Sequence, residues 1–155
     1  MQIGIVGSAA PELQVPYWID SNGQERPPLK LAELGPNFKM LFFFQHWCPG
    51  CHIDGFPQLK RLIGHLEHRG MGFAAIQTVF EGADTNTKDK ILLDQQRHHL
   101  KIPFGHDAPS TADLYPTSME NYRSAGTPWF VVINPSDVVI YNDFRLDFDK
   151  ILTIL

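Results

Sequence analysis

Apolar positions along this chain recur at two periods, and the change from one to the other outlines the fold. Leu13, Val15 and Tyr17 alternate with other residues ahead of the turn dipeptide Asn22-Gly23, which predicts a strand entering a hairpin or short connection. "FKMLFFF", Phe38 to Phe44, is a near-continuous apolar run bounded by Gly35-Pro36-Asn37, as expected of a strand buried on both faces. Beyond it, Leu59, Leu62, Ile63 and Leu66 fall at helical spacing and Gly70 stops the helix. "MGFAAIQTVF" predicts a second buried strand, so strand, helix and strand compose a βαβ unit with parallel strands.

The second half continues the alternation. "TKDKILLDQQRHHLK" predicts a helix from about Thr87 with a thin apolar stripe, ended by Pro103. "FGHD" is a short strand, and "APSTADLYPTSMENYRSAG" reads as irregular. In "TPWFVVINPSDVVIYND" two apolar runs flank Asn134-Pro135-Ser136-Asp137, an antiparallel hairpin signal. Phe148, Ile151, Leu152 and Leu155 predict a closing helix with Asp147 as its N-cap.

Composition adds bounds. A chain of 155 residues without repeats or an obvious linker fits one domain, residues 1–155, with a core that needs no disulfide staples. A net charge of −4 gives no electrostatic footprint for nucleic acid, and the basic stretch "KRLIGHLEHR" reads as a solvated helix face. No apolar run is long enough to span a bilayer. The first residues show no secretory signal, so the expected compartment is the cytoplasm, or the periplasm if a signal has been removed.

The candidate chemistry is concentrated in "FFFQHWCPGCHIDGFP", which holds the chain's two cysteines. Its letters fit three chemistries: a redox dithiol, covalent haem attachment through Cys48, Cys51 and His52, and a metal site of His46, Cys48, Cys51 and His52. Haem fits poorly with the βαβ pattern around the site, because a small c-type cytochrome is mostly helical. Four ligands crowded into seven residues make a tetrahedral site hard to close without distant ligands. For a dithiol, the placement is favourable. A cysteine at a helix start meets unpaired N–H groups and the positive end of the helix dipole, which favour thiolate and make Cys48 the nucleophile. Cys51, one turn further in, is placed to attack a mixed disulfide and release the substrate.

The order strand, "WCPGC", helix, strand, helix, "AGTP", hairpin, helix resembles the thioredoxin-like superfamily, and most of all its TlpA-type thiol:disulfide oxidoreductases. The likeness runs from Ala10 onward and rests on two motifs about 75 residues apart, Trp47-Cys48-Pro49-Gly50-Cys51 and Gly126-Thr127-Pro128. It implies an α/β, thioredoxin-like fold: a central mixed sheet flanked by helices. It also implies a cis peptide bond before Pro128 facing the dithiol, and substrate contacts at Trp47, Thr127 and Pro128. The expected partners are protein or small thiol and disulfide substrates and a further redox partner, with no cofactor and no metal.

Two departures stand out. Phe42 occupies the place of a buried acid that thioredoxin itself carries, and Pro57 lies six residues after Cys51 where five is usual, which predicts an extra residue or bulge near Asp54-Gly55. Thiol peroxidase chemistry is the nearest rival within the fold, but the peroxiredoxin pattern P-x-x-x-T/S-x-x-C at the attacking cysteine fails at both positions, where Leu41 and Gln45 stand. A binding module with structural cysteines is the rival of a different class. His52 is expected exposed in the first helical turn, where its positive charge would modulate the thiolate. Glu81, in "QTVFEGADTNT", is a candidate polar neighbour of the site or a solvated loop residue, and His65, His68, His98, His99 and His106 read as surface or satisfied core histidines on helices or loops.

Overall fold

The computed structural model describes residues 2–109, 111 and 114–155. In chain order the elements are β1 (Tyr17–Ile19), β2 (Glu25–Arg26), β3 (Lys39–Phe44), α1 (Phe56–Leu66), β4 (Gly72–Thr78), α2 (Lys90–Arg97), β5 (Phe104–Asp107), α3 (Thr117–Tyr122), β6 (Trp129–Ile133), β7 (Val139–Asp143) and α4 (Phe148–Ile154). Among the described residues the strands form one mixed sheet in the order β2-β1-β5-β4-β3-β6-β7. β3, β4 and β5 run parallel, while β1, β2, β6 and β7 pair antiparallel to their neighbours. The central sheet flanked by helices is the α/β architecture expected.

β3 lies inside the sheet between β4 and β6, and all of its residues are buried. Strand alternation divides them between two cores. Met40, Phe42 and Phe44 pack with Leu59 and Leu62 of α1, Ile91 of α2 and Ile151 of α4. Leu41 and Phe43 face the other layer, with Trp18, Ile76, Val131 and Tyr122 of α3. A strand covered on both faces has no place for polar alternation, hence the continuous apolar run.

Several elements differ from the sequence reading. The N-terminal strand begins only at Tyr17; Leu13 and Val15 are buried but stand outside the ladder, because the partner β5 offers just His106, Gly105 and Phe104 to Tyr17, Trp18 and Ile19. The connection to β2 is the expected tight turn: Asp20 Oδ1 accepts from the N–H groups of Asn22 and Gln24. Helix α2 stops at Arg97, ahead of Pro103, because His99 takes a left-handed conformation at φ 52°. The segment read as irregular contains α3, whose Ser118 N–H donates to the buried Asp107 carboxylate at 2.8 Å. Ser110, Ala112 and Asp113, part of the same reading, lie outside the described residues. The closing hairpin and helix stand where predicted: Asn134 Oδ1 accepts from Ser136 and Val138, and Asp147 caps α4 through the Lys150 N–H. His106 lies within β5, neither on a helix nor in a loop.

Candidate active site

The chain leaves β3 at Phe44, crosses Gln45-His46-Trp47 and turns into a helix at Pro49. Proline suits the first helical position, where the N–H it lacks would have no helical partner. Cys48 immediately precedes it. The Cys51 N–H donates to the Cys48 carbonyl at 3.0 Å and stands 3.3 Å from Cys48 Sγ, so the sulfur occupies the position of an N-cap acceptor. Cys48 and Cys51 are joined as a disulfide. Cys48 is half-buried, whereas Cys51 is fully buried in the core under α1.

Cys51–Gly55 is a π-helical turn leading into α1. It accommodates the extra residue predicted near Asp54-Gly55 from the displaced Pro57. Gly55 is required there by contact: a Cβ would stand 2.9 Å from Phe42 Cζ and 3.0 Å from Pro128 Cβ. This close approach seats the start of α1 against the chain entering β6. The Thr127-Pro128 bond is cis, and the Thr127 hydroxyl donates to Cys48 Sγ at 3.6 Å. The structure therefore brings Cys48, Cys51, Thr127 and Pro128 together. Trp47 flanks them and is 64% exposed, its N–H held by Asn86 Oδ1 at 2.7 Å.

Side chains distant in sequence hold this corner in place. The buried Gln45 accepts from the Phe80 and Glu81 N–H groups, and Asn86 Nδ2 donates to the Glu81 carbonyl, so the loop after β4 is tied to the cysteine segment. The Glu81 side chain itself is exposed. Gln77 accepts from the His46 N–H at 2.7 Å and donates to His106 Nδ1 at 3.0 Å. Phe42 is wholly buried among Phe44, Phe56 and Phe130, leaving no carboxylate at the place of thioredoxin's acid.

A buried acid comes instead from α2. Asp94 is fully buried and receives His46 Nδ1 at 3.0 and 3.1 Å from its two oxygens. Burial raises its pKa, against the lowering effect of the His46 hydrogen bond. His52 corrects the sequence expectation: its side chain is only 9% exposed. Burial holds its pKa below the ordinary value, outweighing its hydrogen bond to the His46 carbonyl and the field of Asp94, so it is not the exposed cation expected near Cys48. A carbonyl only accepts, so His52 Nε2 donates to the His46 oxygen at 2.7 Å, and the neutral ring's Nδ1 accepts from His98 Nε2 at 2.8 Å. His98 stacks on Phe56 at 3.9 Å, and burial, reinforced by the fields of His52 and Arg97, pushes its pKa down to about 4. Among the described residues, His46, His52 and Asp94 are the group whose metal-ligating atoms gather, all within 4.8 Å of one another.

Of the residues gathered at this corner, the sequence reading names the cysteines, Trp47, Thr127 and Pro128 as site candidates but not Asp94, His98, Gln45, Gln77 or Asn86. A signal for two of them existed. Ile91, Asp94, Gln95 and His98 fall at i, i+3, i+4 and i+7, the spacing of a single helix face. The stripe that looked thin in apolar residues is an inward face carrying polar ones.

No protein-family model and no curated protein matches the sequence. Solved structures do. A thioredoxin-like superfamily protein superposes with a TM-score of 0.81 at 26% identity, covering 94% of this chain and 92% of its own. A thiol-disulfide isomerase from Corynebacterium glutamicum gives 0.78 at 22% identity, with 94% and 93% covered. The thioredoxin domain of a thiol-disulfide oxidoreductase from Bacteroides vulgatus gives 0.67 at 16% identity, with 96% of both chains covered. The sheet order, the Cys48–Cys51 disulfide at the head of a helix beside a cis proline, and these superpositions place the chain in the thioredoxin-like superfamily.

Proposed function

We infer that this protein is a thiol-disulfide oxidoreductase of the TlpA type that exchanges disulfides with protein substrates. The observation that carries the reading is the unequal setting of the two cysteines, one half-buried at the helix start and one fully buried a turn further in.

In the reducing direction, the Cys48 thiolate attacks one sulfur of a substrate disulfide. A Cys48–substrate mixed disulfide forms, the substrate S–S bond breaks, and the leaving sulfur departs as thiolate. Cys51 then loses its proton to solvent or a nearby base and attacks Cys48 Sγ, releasing the second substrate thiolate and closing the Cys48–Cys51 bond. Two electrons pass to the substrate, and a dithiol redox partner restores the reduced state; oxidation is the same sequence reversed. The Cys51 N–H and the Thr127 hydroxyl, both directed at Cys48 Sγ, stabilise the thiolate as attacker and as leaving group. Trp47 and the Thr127-Pro128 segment flank the sulfur, and an extended substrate segment would lie along them.

Reduction of a protein disulfide by dithiothreitol, followed as insulin precipitation, tests the reading. The wild-type protein is expected to accelerate it at catalytic concentration, and a variant with both cysteines replaced by serine is not. Equal rates for the two would leave a binding module with structural cysteines as the better account.

A further inference from the structure

We propose that His46, His52 and Asp94 form a binding site for a first-row divalent cation of the zinc, nickel and copper group, adjoining the dithiol but independent of its sulfurs. The inference goes beyond thiol exchange and does not rest on it.

Three segments supply the donors: His46 from the connection after β3, His52 from the π-helical turn and Asp94 from α2. His46 Nδ1 lies 3.0 Å from Asp94 Oδ2, and His52 Nε2 lies 4.0 Å from Asp94 Oδ1. Tetrahedral zinc with bonds of about 2.05 Å has its ligands about 3.4 Å apart. The first pair need open, and the second close, by only about half an ångström to meet that spacing. Two imidazoles and one carboxylate are a donor set suited to this group of ions, with a fourth position left for solvent.

The surroundings also fit. The Asp94 carboxylate is fully buried, and among the described residues its hydrogen-bond donor is His46 Nδ1. A carboxylate has room for more than one such partner. For an ion to bind, His46 Nδ1 gives up its hydrogen bond to Asp94, and His52 Nε2 turns from the His46 carbonyl at 2.7 Å toward Asp94. Each ring stays neutral by carrying its proton on the other nitrogen. For His52 that nitrogen is Nδ1, 2.8 Å from His98 Nε2, which turns from donor to acceptor and braces the ligating ring. In the oxidised form the disulfide takes both thiolates out of the four-ligand set suggested by sequence spacing; Asp94, over forty residues away in sequence, supplies a ligand beside His46 and His52.

Oxidised, tag-free protein, its disulfide verified by mass, is titrated with Zn²⁺ against a chromophoric chelator while the imidazole nitrogen resonances are followed. The expected result is saturation at one ion per chain, with shifts at His46 Nδ1 and His52 Nε2. Affinity should fall about tenfold or more in His46→Ala, His52→Ala and Asp94→Asn. It should be unchanged in His68→Ala, a control at an exposed position. No one-to-one saturation, or affinity unaffected by His46→Ala and His52→Ala, would overturn the proposal. Should Asp94→Asn fail to fold, the resonances of the wild-type protein still decide: no shift at His46 or His52 on adding Zn²⁺ rejects the site.

Discussion

Cys51→Ser is expected to accumulate protein bound to its substrates through Cys48, while Cys48→Ser is expected to trap almost none. The difference follows from the setting of the two sulfurs. Cys48, half-buried at the helix start, is the sulfur an incoming disulfide can reach; Cys51 has no exposed surface. Without Cys51, the mixed disulfide loses its intramolecular attacker and must wait for a thiol from solution, so the intermediate persists. Without Cys48, the remaining thiol is enclosed in the core and the first bond does not form. Mixing each reduced variant with a disulfide-containing protein and resolving the products without reductant gives the comparison. Equal trapping by the two variants would reject the assignment of attacking and resolving thiols.

Phe56→Ala is expected to cost about 3–5 kcal/mol, the range for deleting a buried phenylalanine ring. That is a large part of the roughly 5–15 kcal/mol by which a domain is stable. Phe56 has no exposed surface and its ring meets Phe42 at 4.8 Å, Phe44 at 5.0 Å and His98 at 3.9 Å, so it fastens α1 to β3 and α2 at once. Little can collapse into the gap, because it is bounded by a central strand and two helices. Urea unfolding followed by circular dichroism, with the slope compared to wild type, measures the loss. A change below about 1 kcal/mol would mean that this junction is not the core contact described.

The fold was legible wherever a residue's surroundings are set by its near neighbours in sequence. The run Phe38 to Phe44 identified a strand covered on both faces, the period change after Cys51 identified α1, and Asn134 to Asp137 identified the hairpin. Set against the family's usual spacing, the six residues from Cys51 to Pro57 implied an extra residue or bulge near Asp54-Gly55, and the π-helical turn Cys51–Gly55 is where it is absorbed. Helix α3 escaped because much of what supports it is distant: the carboxylate accepting its Ser118 N–H belongs to β5, and its Tyr122 hydroxyl donates to the Pro11 carbonyl. The same limit hid most of the candidate site. His52 looked like an exposed cation in its local context, and only the packing of Phe56 and His98 around it buries the ring and lowers its pKa, against the field of Asp94. Local pattern identified the cysteines, and the resemblance to the thioredoxin-like superfamily the proline motif; through-space pairing of β3 with β4 and α2 supplied the polar frame around them.

The central claim is that the helix start activates Cys48 rather than Cys51, and selective alkylation of the reduced protein tests it most directly. Iodoacetamide is added over a series of pH values, and singly modified protein is mapped by mass spectrometry. The account predicts that the first alkyl group falls on Cys48, with its rate rising at a pH below the roughly 8.5 at which a free cysteine ionises. First modification at Cys51, or a Cys48 rate that follows the free-cysteine curve, would contradict it.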